Sequence, residues 1–452
     1  MAPRVHAPVP ERTGACSLVG RRGALEEEMR YQVPRGMRDI LPEEVGRWQA
    51  LEQRVRQTAE RFGFREIRTP AVEHTEVFAR TVGEESDMVQ KEMYTFTDRG
   101  GRSLTLRPEG TAAVVRAYLG HGGPSWPQPV KLYYVAPMFR YDRPQLGRYR
   151  QHVQFGAEII GVPGPEADAE VISLPVRLLQ SLGLTQVEVR LNSVGDPVCR
   201  PRYLEALRQY FGRYARALCA DCQRRLQTNP LRILDCKEAG CRRITAEAPP
   251  IYGYLDAACR EHFEGVQAHF QALEIPYVLD PFIVRGLDYY TRTAVEVFSG
   301  RLGAQNAMFG GGRYDGLAQQ LGGPPTPGVG FGLGLERLLL VLEQEGLPIP
   351  TAETPPAVFV VAVGEAARRE AIRVVDRLRR AGIAADRDLL NRAVRAQMRH
   401  ADRLGARVAL ILGDSELASG EVTLRVLAAG SERRVPLGEV VSAVSATMGE
   451  GR

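Results

Sequence analysis

The chain has 452 residues, 44% apolar and 25% charged, with a formal net charge of +5, the length of two or three domains and the balance of an ordinary globular protein. No apolar run approaches the roughly 20 residues that span a bilayer. The mild positive charge permits a polyanionic partner without requiring one.

Residues 1–29 are rich in Pro, Gly, Arg and Ala, lack an apolar period, and carry the acidic run Glu26, Glu27 and Glu28; a disordered tail is expected there. No secretory signal is evident, so a reducing, cytoplasmic setting is expected. From Leu41 the pattern turns helical, with Pro42 in the first turn and Val45, Trp48, Leu51, Val55 and Ala59 at helical spacing up to Gly63. A strand over 65–69 stops at Pro70. Residues 103–107 read as a second strand, and the stretch Arg107, Pro108, Glu109, Gly110, Thr111 leads into a helix over 112–119. Glu109 therefore sits at a strand-to-helix corner, either facing a site or complementing the dipole of the helix that follows.

Residues 132–161 read as a hairpin with a long loop. Its apolar strands enclose Arg140, Arg143, Arg148 and Arg150. Permanent planar cations in that number suit a phosphate-rich ligand, and a solvated surface hairpin is the ordinary alternative. A helix over 167–182 and a strand over 186–192 follow. Between them and the strand at 281–284, residues 195–276 are read as an inserted domain holding six cysteines. Cys219 and Cys222, with Cys236 and Cys241, are spaced like a loose four-thiolate zinc frame. Reduced, unliganded cysteines are the expectation, and no metal is assigned.

Residues 285–298 place Arg285, Asp288, Tyr289 and Tyr290 in one turn before an alternating strand, as a ligand-pocket wall or as core packing for the tyrosines. Two glycine clusters follow, 309–315 and 328–335, the second running into Glu336, Arg337 and a helix over 338–345. Neither sits in a βαβ context and no GxxxxGK[ST] occurs, so any nucleotide phosphates must be held by arginines. A linker over 348–356 leads to a last unit, 357–452, with alternating strands and helices. Its predicted helix over 391–407 carries Arg392, Arg395, Arg399, His400, Arg403 and Arg407, a basic face for RNA or simply a solvated one.

Taken together, these segments resemble the bacterial-type histidyl-tRNA synthetases, a family of class II aminoacyl-tRNA synthetases. Residues 61–70, 138–158 and 330–338 match the three class II motifs. RGLDYYTRT at 285–293 and GGGRYDGL at 310–317 are similar to two signatures of the histidine enzymes. The resemblance implies an α+β fold: an antiparallel-sheet catalytic core in two parts, 30–194 and 277–347, interrupted by the inserted domain and followed by an α/β anticodon-binding domain.

It implies an enzyme that joins L-histidine to tRNA(His) at the expense of ATP with Mg²⁺, acts as a homodimer, and has no membrane or DNA partner. By the same resemblance Arg140 holds the α-phosphate and Arg148 and Arg337 the far phosphates. Arg285 bridges carboxylate and α-phosphate. His152 stands where the family stacks an aromatic ring, usually phenylalanine, on adenine. Glu109 and Gln154 would take the ammonium of histidine, Glu158 and Tyr290 its imidazole, with Tyr289 and Tyr314 lining the pocket and Arg143 and Gln145 meeting the tRNA acceptor end. The rival within this resemblance is a histidine-binding regulatory subunit of ATP phosphoribosyltransferase, which usually lacks the C-terminal domain.

Overall fold

The computed structural model describes residues 31–83, 86, 88–284, 287–299, 307–349 and 356–449. The expected tail, 1–29, and most of the expected linker lie outside them. The chain divides into two compact units, Met1–Pro350 and Thr351–Arg452.

In the first unit Pro42 opens helix α1 (Pro42–Arg61), with Glu43 and Glu44 in its first turn and Arg61 in its last, as the helix dipole favours. Trp48, Leu51, Val55 and Ala59 line its buried face. Strand β1 (Arg65–Glu66) ends earlier than its sequence predicts. The reason is the buried Arg107, whose Nη1 donates to the Thr69 carbonyl at 2.7 Å and the Pro70 carbonyl at 3.3 Å, where a strand partner would otherwise bond. A small antiparallel sheet of β2 (Val72–His74), β3 (Tyr94–Thr97) and β4 (Ser103–Leu106), with α2 (Thr75–Val82), leads to α3 (Thr111–Gly120).

The main sheet has eight strands in the order β1-β5-β6-β11-β10-β9-β7-β8. Its central hairpin is β5 (Val130–Phe139) with β6 (Gln151–Ile160), paired from Val130↔Ile160 to Phe139↔Gln151. The other members are β7 (Val187–Ser193), β8 (Tyr277–Leu279), β9 (Thr291–Ser299), β10 (Ala307–Arg313) and β11 (Gly328–Gly334). All neighbours run antiparallel except the edge pairs β1·β5 and β7·β8.

Strand periodicity separates the two faces of this sheet. One face carries Phe155, Ala157, Ile159, Val329, Phe331, Leu333, Val295 and Val297 into the largest buried cluster, with α1 and α4 (Pro165–Ser181). Residues 195–276 are helical, with α5 (Arg200–Gly212), α6 (Ala220–Thr228), α7 (Ala239–Thr245) and α8 (Ala257–Ala272). Their buried Leu207, Phe211, Cys222, Phe263 and Phe270 join that same cluster, so the segment shares its core with the sheet. After β10 a single-turn helix α9 (Leu317–Gln320) precedes β11, and α10 (Leu335–Gln344) follows it directly. Helix α10 begins three residues before its predicted start, which puts Glu336 and Arg337 inside its first turn.

The second unit holds a five-stranded sheet in the order β13-β12-β14-β15-β16. Its strands are β12 (Val358–Ala362), β13 (Ala385–Arg387), β14 (Val408–Leu412), β15 (Glu421–Val426) and β16 (Glu432–Pro436), accompanied by α11 (Glu365–Arg380), α12 (Val394–Arg403), α13 (Asp414–Ser419) and α14 (Val440–Gly449). Helix α12 is shorter than its basic pattern predicts. Asn391 takes a left-handed φ of 54°, and Asp388 accepts the Arg392 N–H at 2.8 Å, so the chain turns before the helix starts. Arg392 pairs with Asp388, His400 packs edge-on to Phe359, and Arg407 donates to the Met448 carbonyl. Arg395, Arg399 and Arg403, four residues apart and exposed, form the outward basic face.

Candidate active site

The second face of the main sheet is the site. Along β6 it presents His152, Gln154, Gly156 and Glu158, paired across β5 with Met138, Ala136, Tyr134 and Leu132. On the other side β6 pairs with β11, where Gly330, Gly332 and Gly334 stand opposite Glu158, Gly156 and Gln154. The sequence GVGFGLG alternates glycine with apolar residues so that Val329, Phe331 and Leu333 fill the core while the opposite face carries no side chain. That bare face is occupied by its neighbours: a β-carbon on Gly330 would lie 1.7 Å from Glu158 Oε2, and one on Gly332 would lie 1.8 Å from Gln154 Nε2.

Glu158 is fully buried. One oxygen accepts the Thr111 hydroxyl at 2.8 Å and the other the Tyr314 hydroxyl at 2.5 Å. Burial pushes its carboxyl up to about 8, against the lowering effect of those two hydroxyls, and the nearby Glu109 charge adds to the rise. Tyr289 packs against Tyr290 with ring centroids 4.7 Å apart and meets Tyr314 edge-on at 5.9 Å. Gln154 Nε2 donates to the Tyr134 hydroxyl at 3.3 Å.

Glu109 is buried too. Its carboxylate accepts the N–H groups of Thr111 at 2.6 Å and Ala112 at 2.9 Å, capping α3 as the dipole favours. Burial raises its carboxyl, while those N–H groups and the Arg140 charge pull the other way. Of the two sequence-level alternatives for Glu109, the helix-end role is thus present, and the same carboxylate also lies within the charge range of Arg140.

Arg140 extends the hairpin by donating its N–H to the Arg150 carbonyl at 2.8 Å, and its Nε donates to the Pro108 carbonyl at 2.7 Å, tying the loop to the Glu109 corner. Its charge, with those of Arg337 and Arg148, bears on His152. Burial first, then these guanidinium groups, hold the imidazole down to about 3, so His152 is neutral at ordinary pH. Arg337 is itself lowered, chiefly by burial and then by Arg148 and Arg140. The charges of Arg140 and Arg337, and of Arg148 with its partner Asp142, all bear on this one neutral ring, which favours an anion beside it. Arg337 Nη1 donates to the Ala307 carbonyl, and its neighbour Glu336 anchors the start of α10 by accepting the Val153 N–H with both oxygens at 2.9 and 3.0 Å.

The four loop arginines do not act alike. Arg148 pairs with Asp142. Arg150 stacks over the Tyr141 ring at 3.7 Å, and its N–H donates to the Gly36 carbonyl at 2.7 Å, so it serves the loop's own structure. Arg143 and Gln145 are exposed at the tip, where Gln145 and Arg148 exchange backbone bonds of 3.2 and 2.8 Å. Arg285 lies outside the described residues.

Sequence reasoning passed over Thr111, which holds Glu158, and the buried pair Arg313 and Asp168. Arg313 Nε donates to Asp168 Oδ2 at 3.1 Å, and its other nitrogens reach the carbonyls of Val162 and Gly164, each at 2.9 Å. The signal was available, since Arg313 directly precedes Tyr314 in the GGGRYD stretch.

A family model described as "Histidyl-tRNA synthetase" matches residues 36–338, and one described as "Anticodon binding domain" matches 357–447. The crystal structure of apo S. aureus histidyl-tRNA synthetase superposes with a TM-score of 0.76 at 41% identity, over 92% of this chain and 99% of that one. The fold is therefore that of a class II aminoacyl-tRNA synthetase. Among curated proteins, the histidine–tRNA ligase of Caldanaerobacter subterraneus is 48% identical over 92% of this chain and 100% of its own length. That of Moorella thermoacetica is 53% identical over 90% and 96%. The chain belongs to the histidyl-tRNA synthetase family.

Proposed function

We propose that this chain, as a histidine–tRNA ligase, reads its amino acid on the glycine-floored half of the pocket and ATP on the arginine half. The carboxylate of L-histidine attacks the α-phosphate of ATP, giving histidyl-adenylate and pyrophosphate. The terminal ribose hydroxyl of tRNA(His) then takes the histidyl group. Both steps place extra charge on phosphate or carbonyl oxygens, which preorganised cations stabilise.

The observation that carries the reading is the buried Glu158, held by the Thr111 and Tyr314 hydroxyls beside three packed tyrosines. A neutral imidazole has one N–H donor and one acceptor. In this reading Glu158 and Tyr290 bond its two ring nitrogens, and Tyr289 and Tyr314 line the walls. A site with partners for both nitrogens rejects apolar isosteres by leaving buried polar groups unpaired. Glu109 and Gln154 take the ammonium group.

On the other half Arg140 meets the α-phosphate, Arg148 and Arg337 the outer phosphates, and His152 stacks on adenine; its neutrality suits a ring that must lie against a base. Arg285 is assigned to the reacting carboxylate and α-phosphate. Mg²⁺ is usually held by substrate phosphates and one or two carboxylates. Glu296 fits that need, since it shares the site face of β9, opposite Gly310, and its charge bears on Arg337. Such an ion would offset phosphate charge.

Arg143 and Gln145 at the hairpin tip are assigned to the tRNA acceptor end, and the second unit, with Arg395, Arg399 and Arg403, to the anticodon. Residues 61–70, which resemble a dimer-forming motif, support a homodimer, and a cytoplasmic location accords with these substrates. Amino-acid-dependent ATP–pyrophosphate exchange with the twenty amino acids tests the reading. Exchange with histidine alone is expected. Exchange with none favours a regulatory subunit, and exchange with another amino acid overturns the pocket assignment.

A further inference from the structure

Outside the catalytic pocket, the helical segment brings Cys219, Cys222, Cys236 and Cys241 together so that all four sulfurs lie within 4.8 Å of one another. Their spacing left reduced, unliganded thiols as the expectation; their arrangement in the fold points elsewhere. We propose that these four cysteines bind one structural Zn²⁺.

The geometry is close to what a metal requires. Zinc–sulfur bonds of about 2.3 Å in a tetrahedron set the sulfurs about 3.8 Å apart. Cys219 Sγ and Cys236 Sγ are 3.9 Å apart, far beyond a disulfide bond of about 2.05 Å. The backbone is also arranged to receive thiolates. The Cys219 N–H donates to Cys241 Sγ at 3.3 Å, and Cys219 stands at the N-cap of α6, where the helix dipole favours a thiolate. Backbone N–H groups aimed at sulfur orient thiolate ligands and neutralise part of their charge. Lys237, Arg242 and Arg243, next to the ligands in sequence, offset the remaining charge of a four-thiolate centre.

The ligand set fills all four positions of a zinc ion, and Cys222, Cys236 and Cys241 are buried. A closed site of this kind is structural rather than catalytic. What it secures is specific. Cys222 and Cys236 bracket Asn229, Pro230 and Arg232, which line a cavity of about 210 Å³ together with Val284, Asp288 and Tyr290. Asn229 Nδ2 donates to Asp288 Oδ1 at 3.3 Å. The metal would hold this loop against the stretch that carries Tyr290, with the thiol protons released to solvent on binding.

The test uses the full-length protein, purified without chelators and dialysed into metal-free buffer. Elemental analysis should find one zinc per chain, released by a mercurial that titrates thiols. Cobalt exchanged into the site should show thiolate-to-cobalt charge transfer and the intense visible bands of a tetrahedral ion. Cys219→Ser, at the least buried of the four, should lose most of the metal. If that variant does not fold, the cobalt spectrum of the unmodified protein decides. Metal-free protein whose four thiols all react freely in the native state overturns the proposal, as does a disulfide among them.

Discussion

Gly330 on β11 lies directly beneath Glu158 on β6, where a β-carbon would come within 1.7 Å of Glu158 Oε2. The missing side chain is what lets a carboxyl lie flat on the sheet between two hydroxyls. Gly330→Ala must therefore push Glu158 out of place. The expected result is a loss of about 100-fold or more in kcat/KM for histidine in the exchange reaction, with the KM for ATP little changed. Native histidine kinetics in this variant would show that Glu158 does not define the amino-acid site.

Glu158 also makes stability depend on pH. Its folded-state carboxyl is raised to about 8 from an ordinary 4.5. The folded state therefore holds this proton more tightly, and its contribution is full below pH 4.5 and lost as the pH rises towards 8. Glu158→Gln removes that dependence. Relative to the parent, the variant should gain on the order of 2–4 kcal/mol between pH 5 and pH 8, read from urea unfolding at each pH. Parallel pH profiles for the two proteins would refute the buried, protonated carboxyl.

His152 has the opposite sign. Its imidazole is held down to about 3, below the ordinary 6.5, so folded-state stability falls as the pH drops through that interval. His152→Phe should resist acid better than the parent between pH 6 and pH 4. If the ring stacks on adenine, the larger aromatic face should also lower the KM for ATP by a few-fold. An unchanged acid profile would mean that burial and the neighbouring arginines do not hold this imidazole down as described.

The buried pair of Arg313 and Asp168 predicts asymmetry between single and double substitution. Arg313→Met leaves the buried Asp168 with only His262, whose Nε2 lies 3.4 Å from Asp168 Oδ1, and should cost about 3 kcal/mol in urea unfolding. Asp168→Leu combined with Arg313→Met should recover most of that loss. Because Tyr314 follows Arg313 and donates to Glu158, the single variant should also raise the KM for histidine; a stable single variant would show the pair is not a structural tie.

Arg285→Ala should nearly abolish histidine-dependent pyrophosphate exchange while leaving the circular dichroism and size-exclusion profiles of the parent. Near-normal exchange would remove Arg285 from its assigned place on the reacting carboxylate.

Much of the framework was legible in the residues. The helix from Pro42, the hairpin around 132–161 and the glycine strand before Arg337 all follow from periods of 3.6 and 2 and from turn chemistry. Where these readings missed, a specific side-chain or backbone feature that periodicity does not encode was responsible: Arg107 bonds the carbonyls that would have continued β1. Asp388 and a left-handed Asn391 delay α12. Of the six basic residues predicted on this helix, Arg395, Arg399 and Arg403 form the exposed face, while Arg392, His400 and Arg407 have partners of their own.

The sequence by itself determined the ordered motifs, the alternation along each strand and the number of charges brought to the hairpin, since these depend on spacing along one chain. Only the tertiary structure decided which arginines gather around His152, that Glu158 and His152 are both held neutral, and that four cysteines from two helix-and-turn segments meet. Each of these depends on desolvation and charge from residues far apart in the chain, and those quantities exist only once the sheet has paired β6 with β11 and covered both its faces.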